Sequence, residues 1–511
     1  MTAKSIYYIE KLKSLIRQSS TDETVHFVKY SQFENEKELT EIFDDKKKFG
    51  SITDESNGSA SMSDVKDSKQ TLGSPHQTPV MDAVDTKLER NRITSWQAGW
   101  NVTNAIQGMF IVSFPYTVVQ GGYWALVSMI VVAYICCHTG KILVECLYEV
   151  DSNGYLVRVR HSYVEIAEEA MGKRFGGKIV NVAQLIELLM TCILYVLLSG
   201  ELILGSFPES PISLTFWIMI ATTPLLSYAF LKSLRGVSWL SFWCTMAHMA
   251  INAFILIFCF TRATEWQWKS VQIKVDVWTF PISIGIVVFS YTSQIFLPTL
   301  EENMEDRSRF HCMMHWTHIA AAFFKVLFSY ICFLTWGNGT QEVITNNLPT
   351  QSLKIVVNLI LVAKSTLSYP LPYYAAVEMI QTTYFNGKPS TYFPSCFDEN
   401  CRLKIWAGCL RIGLVLATMA MAIFIPHFAI LMGLIGSFTG TMLSFVWPCF
   451  FHIRIKGKIL PWYTKVLDIS IIIIGVVVGS IGIYYSFRAL SLAFRGIPTT
   501  PFHARDFHKS L

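Results

Sequence analysis

Residues 95–116 read SWQAGWNVTNAIQGMFIVSFPY, an apolar run interrupted by Asn101, Thr103, Asn104 and Gln107, then by Gly108 near its middle and Pro115 further on. It is the first of a series. Apolar runs long enough to cross a hydrocarbon core of about 30 Å, which takes about 20 helical residues, recur from here nearly to the C-terminus with short polar breaks between them. Eleven are placed, near residues 96–118, 122–146, 178–206, 212–231, 238–261, 277–298, 314–337, 352–383, 404–425, 428–452 and 463–488. The predicted class is therefore an all-α membrane protein. The first and second runs, and the ninth and tenth, are separated by so few residues that each pair also reads as one long helix.

The loops test that count independently, because Lys and Arg accumulate in short cytoplasmic loops. Taken alternately from the first span, one set of loops holds 17 Lys and Arg and the other holds 4. A single miscounted helix would scramble the alternation downstream of it. The bias predicts a cytosolic N-terminus, and the odd number of spans then puts the C-terminal residues 491–511 across the membrane. Asn338-Gly339-Thr340 falls in a non-cytoplasmic loop and is a glycosylation acceptor candidate, whereas Asn57-Gly58-Ser59 is not.

Of 511 residues, 52% are apolar and only 15% charged, against roughly 25% charged in soluble domains. Residues 1–93 hold 14 Lys and Arg and 16 Asp and Glu out of totals of 42 and 37. This segment, rich in Ser, Asp, Glu and Lys, is too polar to bury surface that offsets its ordering entropy and is read as a disordered cytosolic tail. It opens on no cleavable signal peptide, so the first span is expected to direct insertion. The remaining positive charges lie scattered between apolar runs, which argues against nucleic acid as a partner. Most cysteines sit inside apolar segments and behave as small hydrophobes. Cys396 and Cys401 flank a polar loop but form no second pair, so free thiols are expected rather than a zinc site.

Two spans look broken. Beside the first, residues 281–298, PISIGIVVFSYTSQIFLP, carry Gly285, the polar stretch Ser290 to Gln294, and Pro298. Backbone freed from a helix at membrane depth must line a cavity or be buried in protein, and paired breaks in corresponding halves mark the midplane site of a carrier. Spans one to five and six to ten then form two inverted repeats. Glycines and prolines that merely permit close packing are the other reading. An N-terminus opened after Gly108 presents unpaired N–H groups to a carboxylate, and Phe289 and Tyr291 offer ring faces to an ammonium.

Charges inside spans are each disfavoured by about 2.5 to 3.5 kcal/mol and so are functional candidates. Lys364 lies mid-span in residues 358–378, NLILVAKSTLSYPLPYYAAVE, with no carboxylate within a turn. A fixed ammonium there stands in for a coupling sodium ion, or else it is a structural lysine tied to backbone carbonyls. Glu187 and Glu201 in the third span are the deeper proton-carrier candidates, with Glu145 and Glu378 nearer the interface. His248 titrates in the useful range, though a lone buried histidine is more often a core residue. His311, His315 and His318 have helical spacing but lack a Cys or carboxylate partner, and are expected at the interface. No nucleophile–base pair or metal set points to an enzyme.

The run at 95–116, the run GGKIVNVAQLIELLMTCILYVLLSGELI at 176–203, the stretch FPISIGIVVFSYTSQIFLPTLEENM at 280–304 followed by FHCMMHWTHIA at 310–320, and residues 358–378 together resemble the amino acid/auxin permease family, and within it the vesicular carriers. The likeness covers about residues 94–490. It implies a leucine-transporter-type 5+5 inverted repeat with broken helices 1 and 6 plus one extra helix. It also implies residence in synaptic vesicles and uptake of GABA and glycine in exchange for lumenal protons. The vesicular proton pump would supply the drive, with chloride as a debated co-substrate and no other cofactor. Mapped by resemblance, the substrate cavity involves Asn104, Gly108, Met109, Phe110, Phe289, Ser290 and Tyr291. Val112, Ser113 and Phe114 stand where relatives favour Gly-Leu or Leu-Gly, which leaves GABA against glycine open. A proton-symporting permease of lysosomal or plasma membrane is the alternative.

Overall fold

The computed structural model describes residues 92–152, 154–173, 175–230, 235–385 and 404–495, with the side chains of 230–242 excepted. The expected tail up to residue 91, the Asn57 sequon, Cys396, Cys401 and the segment beyond Arg495 lie outside the described residues.

Eight helical stretches are long and apolar enough to cross a membrane, and two shorter apolar helices, Leu214–Ala229 and Phe280–Tyr291, accompany them. The longest stretch, Ser95–Glu145, is two spans joined at Gly122, where φ is 56° and a Cβ would stand 2.1 Å from the Gln272 carbonyl oxygen. That left-handed residue and close approach require glycine, and they turn the chain back between spans one and two. Eleven spans result among the described residues, as the apolar runs predict. The third is Gly176–Ser206, the fifth Arg235–Thr261, the seventh Phe310–Trp336, the ninth Ile405–Phe424 and the eleventh Trp462–Phe494. The eighth runs from Gln351–Ser368 into Pro370–Tyr384, and the tenth from Phe428–Ile435 to Trp447–Lys456. Between spans two and three a small antiparallel hairpin, β1 Tyr148–Val150 and β2 Leu156–Arg158, precedes a short helix, Tyr163–Met171.

Both expected breaks are present. Thr94 caps the first span in a reciprocal box with Gln97, the helix ends at Gln107, and the chain resumes as a 3-10 segment, Met109–Ser113. Gly108 sits between them at φ 30°. The sixth span is helical over Phe280–Tyr291, opens, and restarts as Leu297–Glu302. Pro115 and Pro298 occupy the first turns of the restarted helices, where a missing N–H costs nothing.

Spans one to four each pack against the span five further along the chain, an arrangement that fits two repeats related by a pseudo-two-fold axis. Ser283 Oγ donates to the Thr117 carbonyl at 3.1 Å, joining one to six. Cys137 Sγ lies 3.6 Å from the Met314 carbonyl, joining two to seven. Asn358 Nδ2 donates to the Leu202 carbonyl at 3.1 Å, joining three to eight, and spans four and nine also meet. The breaks obey the same symmetry. Gln107 Nε2 donates to the Ala321 carbonyl of span seven at 3.1 Å, and Gln294 Nε2 donates to Thr139 Oγ1 of span two at 3.2 Å. Each opened helix is thus pinned by a glutamine to the second helix of the other repeat.

The eleventh span lies outside this symmetry and packs on the tenth. Buried Asp468 anchors it, receiving His138 Nε2 of span two at 2.9 Å and His452 Nδ1 of span ten at 2.7 Å. Small residues let span ten approach span six closely: a Cβ on Gly436 would stand 1.8 Å from the Gly285 carbonyl oxygen. Span ten is π-helical over Gly436–Gly440 and again over Met442–Val446, a local unwinding frequent at functional sites.

Candidate functional site

The first break opens beside a cluster of rings. Phe110, the second residue after Gly108, has its centroid 5.0 Å from Tyr195, 5.4 Å from Phe289 and 6.0 Å from Phe428. Spans one, three, six and ten therefore converge on one point. Met109, Phe110 and Phe289 are buried there, Gly108 is half-buried, and among the described residues no side chain caps the N–H groups of the segment that Gly108 starts. The positive end of a helix segment and the faces of several rings therefore lie side by side at this break. Tyr195 and Phe428 are not distinguishable from packing aromatics in the sequence. Only the convergence of four helices selects them.

Asn104 is exposed, and its carbonyl accepts the Gly108 N–H at 2.9 Å. Ser290 and Tyr291 face away from the ring cluster towards Lys325 of span seven. The Lys325 ammonium donates to the Ser290 carbonyl at 3.0 Å and to Ser290 Oγ at 2.9 Å, and it lies 3.6 Å from the centroid of the Tyr291 ring. Tyr291 thus meets the chain's own ammonium. The sequence reading passes over Lys325, although the rule that singles out Lys364, a mid-span cation without a nearby carboxylate, applies to it equally.

The other charged candidates take separate stations. Lys364 is buried and donates to Thr245 Oγ1 of span five at 2.7 Å. His248, also on span five, is buried and hydrogen-bonds to Asn252 Nδ2 at 3.2 Å. Glu187 is buried against the first π-helical stretch of span ten, where Thr439 Oγ1 donates to its carboxylate. Glu201 lies at the far end of span three with Glu342 as charged neighbour and Tyr116 close by. Glu342, in the loop after span seven, accepts the Ala429 N–H at the start of span ten at 3.1 Å. Burial pushes the Glu342 carboxyl above the usual range, and that N–H pulls it partly back. His311 and His315 are exposed as expected, but His318 is buried and bonds to the Met314 carbonyl through Nδ1 at 2.9 Å.

The end of the bundle that carries residue 92 is closed by a second set of contacts. Ile93 bridges to Met304, with Ile93 N–H donating to the Asn303 carbonyl at 2.8 Å and Glu305 N–H to the Ile93 carbonyl at 2.9 Å. Arg158 of β2 reaches the restarted half of span six, donating to Glu301 Oε2 at 2.9 Å and to the Pro298 carbonyl at 3.0 Å. Tyr148 OH donates to the same carboxylate. Behind this closure, a cleft between the first half of span one and the second half of span six is lined by Asn101, Ala105, Ser293 and Leu297. Asn101 Nδ2 and Ser293 Oγ are buried there without a hydrogen-bond partner among the described residues.

Residues 91–488 match the family model described as transmembrane amino acid transporter protein. The chain is 52% identical over 407 residues to the vesicular inhibitory amino acid transporter of Xenopus tropicalis, covering 79% of this chain and 78% of that one. It is equally 52% identical over 410 residues to the Homo sapiens protein of that name, covering 80% and 78%. The vesicular GABA transporter of Caenorhabditis elegans is 48% identical over 394 residues, covering 77% and 79%. Among solved structures, the substrate-bound outward-open state of a Na+-coupled sialic acid symporter aligns loosely, at 12% identity and a TM-score of 0.45, over 78% of this chain and 90% of that one. A multi-pass helical membrane protein with two broken spans, matched by this family over most of its length, is a transporter rather than an enzyme, and the chain belongs to the transmembrane amino acid transporter protein family.

Proposed function

We propose that this chain is a proton-coupled antiporter that loads GABA and glycine into synaptic vesicles. The observation that carries the reading is the break at Gly108, uncapped by any side chain among the described residues, beside the rings of Phe110, Phe289, Tyr195 and Phe428, two poles complementary to those of a zwitterion. The names of relatives that are about half identical supply the substrate class and the vesicle. In this reading the substrate carboxylate meets the N–H groups after Gly108, with Asn104, Met109 and Phe110 around it. Phe289 faces the substrate ammonium, and Ser290 and Tyr291 support the sixth-span side of the cavity. Glu187 and Glu201 are the candidate proton carriers, and Lys364 is an internal cation that replaces a coupling sodium ion. The N-terminus faces the cytosol, the vesicular proton pump supplies the gradient, and chloride is a candidate co-substrate.

The energetics suffice with one proton. One pH unit is worth about 1.4 kcal/mol and 100 mV about 2.3 kcal/mol per charge. One proton leaving for each zwitterion entering therefore yields about 3.7 kcal/mol, a gradient of several hundredfold. The deciding experiment is uptake of radiolabelled GABA and glycine by purified protein in proteoliposomes with an acidic interior. Accumulation that disappears when the pH gradient is collapsed is expected. Uptake stimulated by acid on the outside instead would replace the antiporter with a symporting permease.

A further inference from the structure

Lys325 stands in a shell that suits a free monovalent cation. Its ammonium is fully enclosed, and among the described residues no carboxylate lies within ion-pair distance of it. What surrounds it instead is one backbone carbonyl, one hydroxyl oxygen and two aromatic faces: Ser290 O at 3.0 Å, Ser290 Oγ at 2.9 Å, the Tyr291 ring at 3.6 Å and the Phe114 ring at 4.9 Å. Ser290 Oγ donates its own proton to the Val287 carbonyl at 2.7 Å, so its lone pairs are left for the cation. The carbonyl belongs to the last turn of the Phe280–Tyr291 helix, where the helix dipole is negative and where the chain unwinds. Carriers with broken helices coordinate their ions with such half-helix C-terminal ends and freed carbonyls. Here the same ligand set holds an ammonium that the chain itself provides, tethered from the neighbouring span.

We propose that Lys325 is a built-in monovalent cation that fills an ion site at the break of the sixth span. It is a positioning residue for transport, and without its ammonium the vacancy accepts a small diffusible cation. Phe289 of the ring cluster precedes Ser290 directly, so the ammonium that fixes the end of this half-helix also fixes one wall of the substrate pocket. The proposal rests on the carrier reading above and adds to it a reason why no external metal ion is needed to set the sixth span. It concerns a different lysine from Lys364, whose ammonium meets span five rather than either break.

The test is counterflow of labelled GABA and glycine in proteoliposomes with equal pH on both sides, so that permeant ammonia has no gradient to collapse. Wild type is expected to exchange equally in choline, sodium and ammonium chloride. Lys325→Ala is expected to lose about tenfold or more in choline, the scale of a lost charge-assisted pair of hydrogen bonds, and to recover in ammonium, methylammonium or sodium. Its thermal stability in detergent should rise saturably with the same cation while wild type does not respond. A Lys325→Ala protein that exchanges at the wild-type rate in choline overturns the proposal, as does one that is folded but answers no cation in exchange or stability. If Lys325→Ala folds only with ammonium present, the vacancy is filled as proposed. If it folds in no salt, Lys325→Met decides: a folded protein without exchange in any salt is expected, and wild-type exchange overturns the proposal. Absence of exchange in wild type itself would instead count against the substrate reading, and the stability arm would still report on the cation site.

Discussion

Arg158→Ala should unlock the end of the bundle near residue 92. The side chains of Arg158 and Glu301 are 7% and 2% exposed, so deleting the arginine strands a carboxylate away from water. Breaking a buried pair from one side costs roughly 3 to 5 kcal/mol. Tyr148 OH still donates to Glu301, and Arg307 Nε lies 3.8 Å from it, so part of the loss is recovered. A net bias of about 2 to 3 kcal/mol against the closed end follows, which is roughly 30- to 140-fold in population. The assay places a cysteine at Ser293, which lies behind the closure, after exposed Cys312 and Cys409 are changed to serine. The rate of its modification by a membrane-impermeant maleimide is expected to rise by tens of fold in Arg158→Ala. Adding Glu301→Leu should bring it back down, because an apolar pair leaves no stranded charge. The exposed pair Arg309–Asp306 supplies the control, and Arg309→Ala should change nothing. Equal modification rates in Arg158→Ala and its parent, or equal acceleration by Arg309→Ala, would refute the closure.

Glu187→Gln keeps the Thr439 hydrogen bond but cannot ionise, so it should flatten the dependence of exchange on lumenal pH, and Glu201→Gln should do so if the pair with Glu342 carries the proton. A pH profile unchanged in both variants removes the two as proton carriers. Lys364→Ala should abolish uptake while the protein still reaches its membrane, and wild-type uptake would leave its bond to Thr245 a structural one. Asn338 is exposed in the turn after span seven, on the side opposite Ile93, so expression in cells should yield a band that shifts on endoglycosidase treatment and no longer does so in Asn338→Gln. A band insensitive to the enzyme would put that face on the cytosolic side.

The number of spans and the position of both breaks are legible in the sequence because each depends on a local property. Hydrocarbon demands a minimum apolar length, and Gly108 followed by Pro115, or Ser290 to Gln294 followed by Pro298, disfavours a regular helix. Glu187 and Lys364 stand out for the same reason: a charge inside an apolar run is visible without knowing its neighbours. Lys325 is equally visible by that rule, but what it meets is not. Its partners, Ser290 and Tyr291, lie some 35 residues away on another span. Likewise Tyr195 and Phe428 read as ordinary packing residues until spans three and ten are folded against the first break.

What the sequence alone determined is which segments cross the membrane and where two of them are weakest as helices. Which faces meet was decided by the tertiary structure: the ring cluster, the Lys325 shell, the glutamines that pin each break and the Arg158–Glu301 closure all join residues far apart along the chain. The physical reason is that apolarity is read one segment at a time against lipid. The contacts between helices come instead from close packing of small residues and from satisfying each buried polar group, and both conditions exist only once the spans are side by side.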